Sequence, residues 1–397
     1  MMALDMKIIA IETSCDETGV AVLEISGGFK APRIKILSNI VASQVKIHAP
    51  FGGVVPNLAK REHQKNLPLI FKKALKEARL SLKNPRIDLI AVTSGPGLEP
   101  ALWVGINFAQ ELAKKYNKPL LGINHLEGHI FSIFLEKNRK STKHEARSTK
   151  RDFGFRISNF EFPAIALLVS GGHTELVLSK KPLEYKVIGQ TLDDAAGEAF
   201  DKVARLLGLG YPGGPAIGVM AEKKLKLKHD IKSATAQFIS SNDKVKLPRP
   251  MINSKDYNFS FSGLKTAVLY KLKELEQKMR TSSHDREYLV SAMVKEFQQA
   301  VIDVLISKTM RVAKEYKAKT VILGGGVAAN KELRKQLQQK MPFNCDSRYV
   351  INLLMPEMEF TGDNAAMIAL AAYFRWLKNK KPRRGGALKA DGNLKLT

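Results

Sequence analysis

The sequence predicts an α/β protein composed of two related lobes. Two segments, residues 8–23 and 164–178, share one plan: an apolar strand, a short polar turn and a second apolar strand. Each is followed by alternating strand and helix signals, and the apolar runs at 89–93 and 320–323 both lead into glycine-rich turns. A repeated strand–turn–strand unit followed by strands that alternate with helices indicates a duplicated α/β fold.

We divide the chain into four parts. Residues 1–136 form the first lobe and 162–376 the second, while 137–161 are a basic insertion between them and 377–397 a basic, flexible tail. The insertion is polar and lacks apolar periodicity, so we expect it to be exposed and mobile. In the second lobe we expect a helix after Asp201 that ends at Gly208, a loop at 211–215 and a long helix over 287–315.

The chain of 397 residues is strongly basic. Its 64 Lys and Arg residues against 38 Asp and Glu give a formal net charge of +26, which favours a polyanionic partner. The excess is concentrated in the insertion and the tail. A basic run alone is more often a solvated loop than a binding site, but the two runs and the global excess together make nucleic acid the leading macromolecular partner.

Composition and cysteine content also predict the part of the cell in which the protein is found. No apolar run is long enough to span a bilayer, and residues 1–7 lack the apolar block of a signal peptide. Cys15 and Cys345 are the only cysteines, too few for a disulfide framework and without metal-finger spacing. We therefore expect a cytoplasmic protein without a membrane partner.

Two histidines with helical spacing, His125 and His129, form the most informative motif. On a helix their imidazoles point the same way and can bind one metal ion, although such a pair is about as often simply packed in a core. Leu126 stands where a zinc peptidase of the His-Glu-x-x-His type needs its general base, and Glu127 is expected to face away from the metal. Asp363 is the best candidate for a third ligand, but its local sequence is equally typical of a helix N-cap, and spacing alone favours the cap.

Glycine-rich turns after apolar strands are the second kind of candidate site. Their backbone N–H groups can approach phosphate oxygens, and a helix N-terminus adds partial positive charge. Neither the Walker pattern nor the dinucleotide pattern matches this chain. Four such turns in an α/β context nevertheless favour a nucleotide cleft between the lobes; they lie at residues 94–97, 170–174, 213–214 and 324–326.

Taken together, these motifs resemble the TsaD family, the tRNA threonylcarbamoyladenosine transferases of the actin, sugar-kinase and heat-shock-ATPase superfamily. The resemblance covers nearly the whole chain outside the insertion and the basic tail. It implies two duplicated actin-like (ribonuclease H-like) lobes with a nucleotide and metal cleft between them. The matching motifs lie at residues 11–18, 52–56, 94–98, 124–129, 168–174, 193–202, 259–266 and 325–330.

The resemblance also implies an activity and its ligands. It implies transfer of the threonylcarbamoyl group from threonylcarbamoyl-AMP to N6 of adenosine 37, in tRNAs that read codons beginning with A. One divalent metal, iron with zinc as the alternative, is implied to be bound by His125, His129 and Asp363. The implied protein partners are a paralogous non-catalytic TsaB-like protein and a small TsaE-like ATPase. The residues implied to hold the adenylate are Leu168, Val169, Ser170, Gly171, Gly172, Asp201, Gly214 and Asn330.

For the catalytic group we consider Asp16 and Glu12, because both belong to the first-lobe turn that faces the phosphates in the wider superfamily. We expect one of them, Asp16 by preference, to orient the attacking amine or to take its proton. Gly218 departs from the family, whose members often carry a polar residue at this position. A ribose contact from that position is therefore in doubt.

Three other functions fit parts of the sequence. An ATPase or kinase of the same superfamily would explain the glycine-rich turns but not the two histidines. A peptidase would need a glutamate where Leu126 stands. A non-catalytic scaffold that binds nucleotide within a tRNA-modifying complex would need no metal chemistry.

Overall fold

A computed structural model of the chain describes residues 5–29, 32–136, 160–223, 245–279, 283–341, 350–379 and 388–397. The expected mobility of the basic insertion concerns residues that lie almost wholly outside these ranges. Among the described residues, no helix has the length and apolar character needed to cross a membrane.

Two five-stranded mixed sheets form the framework. The first has the order β3-β2-β1-β4-β5, with β1 Met6–Glu12, β2 Glu17–Ser26, β3 Arg33–Ser43, β4 Leu89–Gly95 and β5 Leu120–Asn124. The second has the order β8-β7-β6-β9-β10, with β6 Ala164–Val169, β7 Thr174–Lys181, β8 Glu184–Gln190, β9 Thr320–Gly324 and β10 Asn352–Leu354. In both sheets the first three strands of the order pair antiparallel, and the third, fourth and fifth strands pair in parallel. This identical topology confirms the predicted duplication.

The central strands have the continuous apolar sequences that burial on both faces requires. Every residue of β6 and β9 is buried, and so is every residue of β1 except Lys7. Parallel pairing of β1 with β4 and of β6 with β9 brings the carboxyl ends of these strands to one edge of each sheet. Three of the glycine-rich turns predicted as candidate sites lie at the ends of β4, β6 and β9.

In the part of the chain that the structure describes, ten α-helices surround and separate the sheets. Two sets cover the outer faces: α2 and α3 pack on the first sheet, and α5 to α9 pack on the second. The helices are α1 Val45–His48, α2 Pro56–Glu77, α3 Glu99–Tyr116, α4 His125–Phe131, α5 Ala196–Leu206, α6 Gly213–Glu222, α7 Ser262–Met279, α8 Ser283–Glu315, α9 Lys331–Lys340 and α10 Ala365–Asn379.

The predicted helices occur with shifted beginnings. The helix expected after Asp201 already begins at Ala196 and ends before Gly208, whose positive φ of 73° terminates it. The loop expected at 211–215 is shorter than predicted, because α6 begins at Gly213 and accommodates Pro215 in its first turn. The long helix α8 begins four residues before the predicted position 287.

Helix α10 corrects the predicted division into lobes. We had assigned residues 162–376 to the second lobe, but α10 packs on β1, β2 and α4 in a core shared by both sheets. Residues 365–374 are all buried. A helix that is apolar on every side must be enclosed on every side, and the space between the sheets meets that requirement.

The tail is also ordered where it is described, contrary to the predicted flexible segment 377–397. Residues 377–379 complete α10, and residues 388–397 return to the first sheet. Asp391 donates its backbone N–H to the Ser94 carbonyl at 2.9 Å, Gly97 donates to the Gly392 carbonyl at 3.2 Å, and Leu396 is buried. The basic residues dominate the composition of this segment, but its leucines determine where it packs.

Glu127 links α4 to helix α10 and to strand β8 through hydrogen bonds. Its carboxylate is 1% exposed, accepts from Arg375 Nε of α10 at 2.8 Å and from the Tyr185 hydroxyl of β8 at 3.0 Å. The prediction that Glu127 faces away from the histidines is thereby confirmed. Glu127, Tyr185 and Arg375 come from both halves of the chain. Their hydrogen bonds therefore fix the rotation of α4 about its axis.

Replacing Glu127 by Ala would leave the Arg375 guanidinium partly buried without its counter-charge. We expect Glu127→Ala to lower the free energy of unfolding by about 3 kcal/mol, measured by urea denaturation. Glu111→Ala, an exposed position on α3, is the control and is expected to stay within about 0.5 kcal/mol. Equal stabilities of the two variants would contradict the role given to this network.

Candidate metal and nucleotide site

The two histidines are presented by a short helix with a well-defined start. Asn124, the last residue of β5, caps α4: its Oδ1 accepts from the backbone N–H of Leu126 at 2.9 Å and of Glu127 at 3.4 Å. This cap satisfies two of the free N–H groups of the first turn. It also places His125 and His129 one turn apart, with ring centroids separated by 4.7 Å.

Asp363 completes the cluster. Its Oδ1 lies 3.3 Å from His125 Nε2 and 3.2 Å from His129 Nε2. The preference for an N-cap role was wrong, because the neighbouring Asn364 takes that role: its Oδ1 accepts from the Met367 backbone N–H at 3.1 Å. Asp363 is therefore free to face the histidines.

The donor set fits a divalent metal. The ligand atoms of His125, His129 and Asp363 lie within 4.8 Å of one another. Within the described residues, both ring nitrogens of His129 are buried; Nε2 faces Asp363 Oδ1 at 3.2 Å, and Nδ1 has no hydrogen-bond partner. Two imidazoles and one carboxylate suit iron or zinc.

Electrostatics support the same conclusion. Burial opposes the ionisation of Asp363, yet the fields of His125 and His129 hold its pKa well below the usual range. Burial likewise opposes protonation of His125, but the carboxylates of Asp363 and Glu12 raise its pKa well above the usual value. Burial, with the neighbouring His125, lowers the pKa of His129. The pocket therefore attracts positive charge, from a proton on His125 or from a cation.

Glu12, one of the two predicted catalytic carboxylates, contacts His125 at Nδ1, the ring nitrogen that does not face Asp363. Its Oε2 lies 3.0 Å from His125 Nδ1 and accepts from the Thr93 hydroxyl at 2.6 Å, while its Oε1 accepts from the Ser14 backbone N–H at 2.6 Å. A carboxylate on Nδ1 leaves Nε2 as the metal-binding nitrogen and fixes the ring orientation. This geometry is that of a residue that positions His125, while the predicted catalytic role of Glu12 stays a prediction.

Asp16, the preferred catalytic carboxylate, occupies a different side of the turn between β1 and β2. Its side chain is nearly buried. Burial, followed by the adjacent Asp16 charge, raises the pKa of Glu17 to about 10. Burial and, more weakly, the charge of Asp16 also raise the pKa of Asp201 on α5. Asp16 therefore lies where the first-lobe turn faces the second lobe.

Two glycine-containing turns and the start of α5 meet next to the metal cluster. The turn after β6 is closed by a hydrogen bond from Ser170 N–H to the His173 carbonyl at 2.8 Å, and Gly197 of α5 donates to the Ser170 carbonyl at 3.2 Å. Gly325, after β9, has a φ of 91°, and a Cβ on it would lie 2.4 Å from the Val169 carbonyl oxygen. Only glycine permits this close approach. The two turns and the start of α5 thus lie against one another, joined by the Ser170 carbonyl and the close approach of Gly325 to Val169.

A cavity of about 670 Å³ opens beside these turns. Its wall includes four residues predicted to hold an adenylate, namely Gly171, Asp201, Gly214 and Asn330. Leu168 and Val169 lie within β6 with buried side chains, so only their backbone could contact a ligand there. The volume suits a nucleotide.

The polar groups of the cavity are held in place by local hydrogen bonds. Asp201 accepts from the Gly213 backbone N–H at 2.6 Å. Asn330 caps α9 by accepting from Leu333 N–H at 3.0 Å and donates Nδ2 to Gln298 Oε1 at 2.9 Å. Gly218 also lines the cavity and offers no side chain, so a ribose contact from a side chain at this position is absent.

Among the polar residues of the cavity that were not predicted from the sequence are Gln298 and Lys295, both on α8. The helix was treated as a core element because of its apolar stripe. Gln298 nevertheless lies among buried Phe297, Val294 and Val301. A glutamine within an apolar stripe was the signal that could have identified it.

Helix α4, which carries the two histidines of the metal cluster, contacts the turn after β9 that lines the cavity. A Cβ on Gly324, at the end of β9, would lie 3.0 Å from the His129 carbonyl oxygen, so the C-terminal part of α4 contacts the start of the turn that leads to Asn330. A ligand with its phosphate on the turns would place adjacent atoms at the cluster. The arrangement suits metal-assisted chemistry at the phosphate end of a nucleotide.

Removing the charge of Glu12 tests its positioning role. We expect Glu12→Gln to weaken metal binding by about tenfold or more, because His125 loses the acceptor that orients its ring. Competition with a chromophoric chelator measures the affinity. A Glu12→Gln protein that binds metal as tightly as the unmodified chain would contradict this assignment.

Comparisons with known proteins agree with the site. The family model for TsaD, tRNA N6-adenosine threonylcarbamoyltransferase, matches residues 35–144 and 153–370. A tRNA N6-adenosine threonylcarbamoyltransferase of Thermosipho africanus (strain TCF52B) is 44% identical over 98% of this chain and 100% of the relative, and that of Thermosipho melanesiensis is 47% identical over 93% and 94%.

Among solved structures, HypF of T. kodakarensis has the same fold at 14% sequence identity. It aligns with a TM-score of 0.50 over 95% of this chain and 49% of HypF, a likeness that concerns architecture alone. The family model and the near full-length relatives determine the assignment. The chain belongs to the TsaD family, the tRNA N6-adenosine threonylcarbamoyltransferases.

Proposed function

We propose that the chain transfers the threonylcarbamoyl group from threonylcarbamoyl-AMP to N6 of adenosine 37, in tRNAs that read codons beginning with A, and releases AMP. One observation carries the proposal: α4, which bears His125 and His129, contacts the turn after β9, and that turn also lines a nucleotide-sized cavity. An acyl-adenylate bound in this cavity would extend its acyl group from the phosphate toward the cluster.

The reaction is an acyl transfer. The N6 amine attacks the carbamoyl carbon, the bond between that carbon and the phosphate oxygen breaks, AMP leaves with the bonding electrons and N6 loses a proton. The turns at Ser170–Gly172 and Gly325 would hold the phosphate through backbone N–H groups, with Asp201 accepting from ribose hydroxyls. The protein thereby aligns a weak amine nucleophile with an activated carbonyl.

His125, His129 and Asp363 would hold one divalent cation, iron with zinc as the alternative. Such a cation supplies Lewis-acid polarisation of carbonyl or phosphate oxygens. Glu12 keeps His125 in the orientation needed for binding. Asp16, on the first-lobe turn, would orient the attacking amine or take its proton.

tRNA would bind through the basic surface that the net charge of +26 creates. A paralogous TsaB-like protein and a small TsaE-like ATPase are the proposed protein partners. The outer face of α2 and α3 is a candidate contact for the first of these, because Leu69 and Trp103 are exposed there. Incubation with threonylcarbamoyl-AMP and unmodified tRNA, with and without partners, followed by mass analysis of nucleosides, tests the activity.

Asp363→Asn tests the metal role. The substitution keeps the shape of the side chain and removes the charge that binds the cation. We expect loss of bound metal and a fall in transfer rate of about 100-fold or more, with AMP binding retained because the cavity is unchanged. Asp88→Asn, a remote exposed position, is the control. Full activity of Asp363→Asn would exclude this cluster as the metal centre of the reaction.

Asp16→Asn tests the proposed catalytic carboxylate. We expect single-turnover transfer to slow by about 100-fold with metal content unchanged. The adjacent Glu17→Gln is a matched control: Glu17 has a pKa raised to about 10 and is neutral at pH 7, so a neutral glutamine should sustain a near-normal rate. Near-normal rates in Asp16→Asn would reject the role.

A further inference from the structure

We infer that Gln298 recognises the adenine of the bound adenylate by donating a hydrogen bond from its side-chain amide to a ring nitrogen of the base. The inference rests on the proposed function and deepens it by naming a residue that selects the nucleotide. It comes from an amide group in the cavity wall that has a donor but no partner.

The orientation of the Gln298 amide follows from a backbone hydrogen bond. Leu333 N–H can only donate, so the atom of Asn330 that receives it at 3.0 Å is the oxygen Oδ1. The other end of the Asn330 amide is then the donor Nδ2. It lies 2.9 Å from Gln298, which must present its own oxygen there. Gln298 Nε2 consequently points away from Asn330.

This nitrogen lacks a protein acceptor. Within the ranges that the structure describes, the only hydrogen bond of the Gln298 side chain is the one from Asn330. Gln298 is 8% exposed and belongs to the wall of the cavity of about 670 Å³. Nε2 is not among the fully buried atoms that lack a partner, so it is open to the cavity, where a ligand can supply its acceptor.

The surrounding residues indicate which part of the ligand provides the acceptor. The cavity wall carries the apolar side chains of Phe200, Pro215, Val219 and Val327, which suit the faces of an aromatic base. Ribose hydroxyls suit carboxylate acceptors such as Asp201, and phosphates suit the glycine-rich turns. Adenine has three unprotonated ring nitrogens, N1, N3 and N7, that accept hydrogen bonds. A donor that stands among apolar groups is matched by one of them.

Two substitutions isolate the donor. Gln298→Glu keeps an oxygen for Asn330 but removes the N–H groups, whereas Gln298→Met removes both and adds no charge. We expect each to weaken AMP binding by about tenfold, the usual effect of losing one hydrogen bond from a buried site. Calorimetric titration with AMP, in the absence of tRNA and of any acyl donor, measures the affinity. Gln190→Glu, an exposed position on β8, should bind AMP normally.

A second measurement avoids substitution altogether. The unmodified chain is titrated with 1-deaza-, 3-deaza- and 7-deaza-AMP, each lacking one ring nitrogen. We expect one analogue to bind about tenfold more weakly than AMP, and Gln298→Glu to bind that analogue and AMP with equal affinity. Equal affinity of the unmodified chain for AMP and all three analogues would overturn the inference, as would normal AMP binding by Gln298→Glu.

The outcomes separate this inference from the proposed function. If the unmodified chain binds AMP but is indifferent to Gln298→Glu and to the analogues, the recognition role of Gln298 fails and the transferase proposal stands. If the unmodified chain does not bind AMP at all, the cavity is not an adenylate site and both proposals fail.

Discussion

The contact between Asp363 and the two histidines of α4 is the constraint on which the arrangement of this protein depends. The Asp363 carboxylate, whose side chain is 18% exposed, is costly without positive charge nearby, and His129 Nε2 faces that carboxylate at 3.2 Å. Each group therefore needs the others, and together they need a cation. The contact requires α10, which begins two residues after Asp363, to lie against α4 between the two sheets.

The duplicated fold supplies a framework, but the site comes from parts that differ between the halves. Each half contributes the same five-stranded sheet. The first adds α4 directly after β5, with Asn124 as its cap, whereas the second adds the glycine-rich turns after β6 and β9 that are proposed to bind the phosphate. The close approach of Gly324 to the His129 carbonyl joins the two contributions. The proposed adenylate and metal sites thus lie close together because the sheets face each other across α4 and α10.

Local patterns predicted what local physics determines. The apolar strands, the duplication and the orientation of Glu127 away from the histidines follow from side-chain periodicity, and all are present. Choices between equivalent neighbours could not be predicted: Asp363 and Asn364 are both good caps, and only packing shows that Asn364 takes the role. Contacts between distant parts of the chain were equally hidden, including that of Glu12 with His125 and the return of residues 388–397 to the first sheet.

Anomalous diffraction from crystals of the metal-loaded chain with bound AMP tests the central claim most directly. The account predicts one metal peak bonded to Nε2 of His125, Nε2 of His129 and a carboxylate oxygen of Asp363, at about 2.0 to 2.2 Å, with the AMP phosphate on the turns at Gly171 and Gly325 beside it. A metal bound elsewhere, or an AMP molecule outside the cavity between α5, α6 and α8, would contradict it.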